Sequence, residues 1–102
     1  MHVISRRTLR SYWESYSEAD QPALEQALKS WYREVSKARW NNANELKQKY
    51  RSASVLKGGR VVFNICGNKF RLIAGISYPA KVVYVKWLGT HAAYDDINAE
   101  EV

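Results

Sequence analysis

Cysteine is almost missing from this chain: Cys66 stands alone, so no internal disulfide can form. With only His2 and His91 to join it, the side chains fall short of a structural zinc set. Long apolar runs are missing as well, and the opening Met1-His2-Val3-Ile4-Ser5-Arg6 offers no secretion signal or membrane span. Glycine and proline are sparse, five and two in 102 residues, which excludes collagen-like and linker-rich chains. No glycine-rich phosphate loop is present, Gly58-Gly59 being only a turn signal, and there is no Gly-x-Ser-x-Gly elbow. These absences argue against metal and nucleotide cofactors. They also point to a reducing, cytoplasmic setting.

Positive charge is what the chain has in excess. Its net charge is +6, and eleven lysines and arginines against two acids lie between Lys29 and Arg71, while both flanks are slightly acidic. A field of this kind draws in polyanions, whether phosphate backbones, an acidic protein or anionic lipid, and a solvated basic face is the plain alternative. The length suits one domain spanning residues 1–102.

The periodicity predicts an α+β order. His2 to Ile4 reads as a strand, and Ser5 caps a helix from Arg6 to about Tyr16 carrying Leu9, Tyr12, Trp13 and Tyr16 on one stripe. Asp20 and Pro22 open a second helix to about Lys37, with Leu24, Ala27, Leu28, Trp31 and Val35 at helical spacing. Asparagines 41, 42 and 44 then mark a loop, and Glu45 to Tyr50 reads as one or two further turns. From Arg60 the period becomes two, giving strands Arg60 to Ile65, Lys69 to Ile76 and Val82 to Leu88, with Gly89 as the stop. Ala92 to Ile97 reads as a short helix and Asn98 to Val102 as a frayed acidic tail. Two helices should cover one face of an antiparallel sheet and leave the other partly open.

Alternation puts Lys69 and Arg71 together on that open face, and groups Val83, Val85 and Trp87 against Tyr84 and Lys86. His91, Tyr94 and Asp95 follow the last strand on one short segment. Cutting RNA with side chains alone needs a base for the 2′-hydroxyl, cations for the charged pentavalent transition state and an acid for the leaving 5′-oxygen. Histidine, with an ordinary pKa near about 6.5, is suited to either proton transfer. Each residue also has a plainer role. His91 could hold a backbone carbonyl, Arg71 could pair with a carboxylate, and Tyr94 and Ile97 could plug the core. Trp13 and Trp31 fall in helical stripes and read as core, whereas Trp40 and Trp87 could be core or base-stacking platforms. Cys66 reads as a small turn residue. A non-catalytic RNA-binding module and a basic protein-interaction subunit are the competing functional readings.

The run Val62-Phe63-Asn64-Ile65-Cys66-Gly67-Asn68-Lys69-Phe70-Arg71-Leu72-Ile73, then Val83-Tyr84-Val85 and Gly89-Thr90-His91-Ala92-Ala93-Tyr94-Asp95, resembles the HigB toxin family among RelE-like toxins. The likeness continues upstream through Trp40-Asn41-Asn42 and Ser52-Ala53-Ser54 and covers nearly the whole chain. The resemblance implies a RelE-like fold and the toxin of a type II toxin–antitoxin system. Its implied activity is that of an mRNA interferase: a metal-independent endoribonuclease without cofactor that cuts mRNA, commonly on the ribosome. A cognate HigA-like antitoxin with a helix-turn-helix would silence it. By the same resemblance Arg71 contacts the scissile phosphate, His91 is the acid or base, and Tyr94 serves proton transfer or stacking. Lys57, Arg60 and Lys69 would bind neighbouring phosphates by their proximity to the turn and strand, not by a motif match.

Overall fold

A computed structural model describes residues 1–102. Strand β1 (His2–Ile4) leads into helix α1 (Arg6–Ser15), whose first turn is closed by the Ser5 hydroxyl accepting from the Thr8 N–H. Helix α2 (Gln21–Lys37) has Pro22 in its first turn, where no N–H is needed. Asp20 stands at the N-cap as expected, but its carboxylate accepts from the Tyr16 hydroxyl at 2.7 Å and gives α2 no side-chain cap. Helix α3 (Ala43–Lys49) begins earlier than its apolar pattern suggests, because Asn42 caps it and Glu45 reaches back to the residue before the cap. Asn42 Oδ1 accepts from the Glu45 N–H, and Glu45 Oε1 accepts from the Asn41 N–H.

Five strands form one sheet in the order β1-β5-β4-β3-β2. Strand β2 (Ser54–Val55) is too short to show a period in the sequence, and a 3-10 turn at Lys57–Gly59 links it to β3 (Arg60–Ile65). Positive φ at Gly58 and Gly59 makes this reversal possible without strain. β4 (Phe70–Ser77) and β5 (Val82–Thr90) continue the antiparallel meander, and β1 closes the far edge parallel to β5, with His2 opposite Val82. The molecule is α+β, consistent with a RelE-like fold.

The main core lies between α1, α2 and one face of the sheet. Leu9, Trp13, Leu24, Leu28, Trp31 and Val35 meet Val61, Phe63, Ile65, Phe70, Leu72 and Val83, all buried. Trp31 packs edge-on against Phe63 at 5.3 Å, and Tyr16 against Phe70 at 5.2 Å. Such pairs add about 0.5–1.5 kcal/mol each beyond the area they bury. Trp40 belongs to the same core. Val62 and Ile73 are buried too, yet stand outside this cluster and opposite each other in the register. The open face therefore has a small apolar floor of its own.

Three sequence expectations at the end of the chain need correction. β5 runs on through Gly89 to Thr90, because Gly89 still pairs with Arg71 and Thr90 with Phe70. Helix α4 then spans only His91–Tyr94, capped by the Thr90 hydroxyl, which accepts from the Ala93 N–H. The acidic tail is folded and not frayed: the N–H groups of Glu101 and Val102 donate to the Asn98 carbonyl, and Arg60 donates to the carbonyl of Val102. No helix is long and apolar enough to cross a membrane.

Candidate functional site

The open face acquires its chemistry from the register of three strands. Directly opposite residues share a face, so Asn64, Arg71 and Gly89 form one row, and Val62, Ile73 and Trp87 the next. Trp87 is the departure from simple alternation. Ile73 pairs with Trp87 but Ala74 pairs with Val85, which leaves Lys86 without a partner in a bulge. The extra residue turns the strand over. Val83, Val85 and Leu88 pack toward the helices, while Trp87 goes to the opposite face and does not side with Val83 and Val85 as strict alternation requires.

Arg71 is the centre of the cluster. Its Nη2 donates to Asn68 Oδ1 at 3.0 Å, and its guanidinium lies over the Tyr94 ring, 5.2 Å from the centroid. Its Nε is buried and has no hydrogen-bond partner. The three ion pairs of the molecule, Arg10–Glu14, Lys29–Glu25 and Lys69–Asp20, all lie elsewhere. Arg71 is thus no surface ion-pair residue: its charge is held in place by an amide and an aromatic ring and neutralised by neither. Tyr94 in turn meets Trp87 at 6.2 Å between ring centroids, with the planes tilted by 58°.

His91 opens α4 at the same end of the sheet. Its backbone N–H donates to the Lys69 carbonyl at 2.9 Å, which fixes the start of α4 to the start of β4. Its half-exposed imidazole makes no hydrogen bond and does not hold a backbone carbonyl. Tyr94 stands one helical turn further on, so both proton-transfer candidates project from one short element beside Arg71.

The three remaining cations are not gathered there. Lys69 does not stand beside Arg71: β4 starts only at Phe70, so alternation does not reach back to it, and its Nζ turns to Asp20 on the helical layer at 3.5 Å. The bend comes from Cys66 and Gly67, both with positive φ, and confirms Cys66 as a turn residue. The Tyr16 and Lys69 contacts hold the Asp20 carboxyl below its ordinary range. The hydrogen bond to Asp20 in turn pushes the Tyr16 hydroxyl up to about 12. Arg60 lies on the open face opposite Gly75, four strand residues from the Asn64–Arg71 pair, a separation of roughly 13 Å. It is half-buried and tied to Val102. Lys57 is exposed in the turn before β3. Between these residues and Tyr94 runs a shallow cleft of about 520 Å³, lined by Leu56, Tyr94, Asp95, Ile97, Asn98, Ala99 and Glu100. Its acids come from the folded C-terminal segment.

A second positive region occupies the outer side of the helical layer. Arg6, Lys29, Arg33 and Lys37 line a groove of about 400 Å³ with Trp13, Tyr32 and Ser36, and no carboxylate is among the lining residues. Three of the eleven cations of the basic middle, Lys29, Arg33 and Lys37, are therefore on the far side of the sheet from Arg71.

Trp87 is the residue that sequence reasoning left undecided and Asn68 the one it missed. Nothing in the apolar pattern announces a bulge, and an asparagine in a turn has a sufficient local explanation already. Residues 24–97 match a family described as HigB_toxin, RelE-like toxic component of a toxin-antitoxin system. Among curated proteins none matches the chain.

Proposed function

Because the chain belongs to the HigB toxin family, the RelE-like toxic components of toxin–antitoxin systems, we propose that its toxicity is that of an endoribonuclease acting on mRNA. The observation that carries this reading is the un-neutralised guanidinium of Arg71, held by Asn68 and Tyr94 at the end of the sheet that bears His91. A positioned arginine of this kind can meet a phosphate with two parallel hydrogen bonds.

In the proposed reaction the ribose 2′-oxygen attacks the adjacent phosphorus as a base removes its proton. The O2′–P bond forms, the P–O5′ bond breaks, and an acid protonates the leaving 5′-oxygen. The products are a 2′,3′-cyclic phosphate and a 5′-hydroxyl. Arg71 stabilises the charge that builds on the phosphoryl oxygens. His91 and Tyr94 are the candidates for the two proton transfers. Arg60 and Lys57 would steer the strand from a distance, whereas Lys69 is directed to the other side of the sheet. mRNA is the substrate, met in the cytoplasm and on the ribosome.

The partner in this reading is a HigA-like antitoxin with a helix-turn-helix, offering acidic and apolar groups to a basic toxin. The test is to incubate purified protein with 5′-labelled mRNA, free and loaded on ribosomes. Cleavage giving cyclic-phosphate ends in either setting supports the proposal, and intact RNA in both overturns it.

A further inference from the structure

Trp87 has no place in that chemistry, yet the fold makes a specific provision for it. The bulge at Lys86 takes the largest side chain of β5 out of the helix-side core and sets it on the open face. Gly89, two residues on, is buried beneath it. A Cβ added at Gly89 would lie 2.6 Å from Trp87 Cη2 and 2.7 Å from Cζ2, so the six-membered ring rests where any other residue would carry its side chain. Arg71 lies over Tyr94 and Tyr94 meets Trp87, so three flat groups follow one another across the face. The Trp87 Nε1–H makes no hydrogen bond and, unlike that of Trp31, is not shut away from solvent. Trp31 and Trp40 are buried in the main core, and Trp13, buried there too, shows the helical groove only a ring that Lys29 covers at 5.5 Å, so Trp87 is the one tryptophan with aromatic surface on the open face.

We propose that Trp87 is the stacking platform for one unpaired nucleobase next to the phosphate contacted by Arg71, the base site of the RNA-cleaving face. This rests on the reading of the open face given under the proposed function. Arg71 already covers one side of the Tyr94 ring, so the free indole surface is the one positioned to take a base. Stacking of this kind tolerates any base because each has a π face, so the site fixes position along the strand more than sequence. Packing alone would be served as well by leucine, which covers Val62 and Ile73 but offers no π surface.

The test is cleavage, on free or ribosome-loaded mRNA, of substrates carrying a single abasic nucleotide at successive positions around the cut. In the wild type, one abasic position should slow cleavage by roughly 5- to 150-fold, the worth of one stacked base. Trp87→Leu should show the same loss on intact RNA and no further loss at that abasic position, and Trp87→Phe should recover most of the rate. Equal rates for wild type and a folded Trp87→Leu, or a wild type indifferent to every abasic site, would overturn the base site while leaving the ribonuclease standing. A wild type that cleaves no RNA removes the ribonuclease reading and the base site together. Should Trp87→Leu not fold, the abasic scan of wild type and Trp87→Phe still decides.

Discussion

Arg71 gives the sharpest separation between stability and function. In the folded chain its guanidinium has one side-chain hydrogen bond, to Asn68, one aromatic contact, with Tyr94, and no ion pair. A hydrogen bond from a charged donor contributes about 1.5–3 kcal/mol and a cation–π contact about 0.5–1 kcal/mol, so Arg71→Ala should cost no more than about 4 kcal/mol. Starting from a stability of only about 5 kcal/mol, about 1 kcal/mol would remain, and roughly 80% or more of the protein would stay folded. Removal of a donor that stabilises transition-state charge, by contrast, slows a reaction by roughly 10²–10³-fold. Unfolding cannot produce a loss of that size here. Arg71→Lys keeps the charge but loses the fork and should recover only a small part of the rate. RNA cleavage and growth arrest measure the first effect, and circular dichroism melting measures the second. An Arg71→Ala protein that melts at a lower temperature but cleaves RNA at the wild-type rate would refute the assignment.

Three further outcomes are expected. His91→Ala should lower the cleavage rate by roughly 10²–10⁴-fold with binding and melting near normal, and a wild-type rate would leave Tyr94 as the better proton-transfer candidate. The Asp20 carboxyl is held below its ordinary value of 3.8, chiefly by the Tyr16 hydroxyl, so it protonates more readily in the unfolded chain. Its contribution is complete above that pH and lost as the pH falls through the folded-state value, and melting scans of Asp20→Asn should show a flatter acid limb than wild type. Gly89→Ala should displace the Trp87 ring and cost about 1–3 kcal/mol by overpacking, with a lower melting temperature and slower cleavage; unchanged values in both assays would mean that the ring moves without consequence.

Much of the fold was legible because its signals are local. The two helices show in the spacing of Leu9 and Trp13 and of Leu24, Leu28, Trp31 and Val35, and Ser5 marks the first helix start by its hydroxyl. The long strands show in the alternation of Val61, Phe63 and Ile65. Failures came where a neighbouring strand decides the outcome. Lys69 was placed by extending alternation one residue beyond the strand, into a turn that points it at Asp20. Strict alternation sets Trp87 beside Val83 and Val85, because the bulge that turns it over exists only in the pairing of β5 with β4. Of the candidate site, Arg71 and Tyr94 do meet, although 23 positions apart in the sequence, since the meander returns Gly89 beside Arg71 just before α4 begins. The tail was misread since its order depends on Arg60, some forty residues upstream.

The parallel pairing of β1 with β5 also bears on how the molecule assembles. Ile65 and Phe70 close the β3–β4 hairpin over five positions, whereas His2 must find Val82 across 80. Closing the longer loop costs roughly 2.5 kcal/mol more in chain entropy, so the hairpins have every reason to form before the first strand docks. During synthesis β1 leaves the ribosome first and waits longest for its partner. Arg71, Trp87, His91 and Tyr94 all lie in the last third of the chain, and β1 docks beside the strand that carries Trp87. Completion of the sheet and completion of the candidate site are thereby late events of the same folding sequence, and a nascent chain stopped short of β5 would have neither.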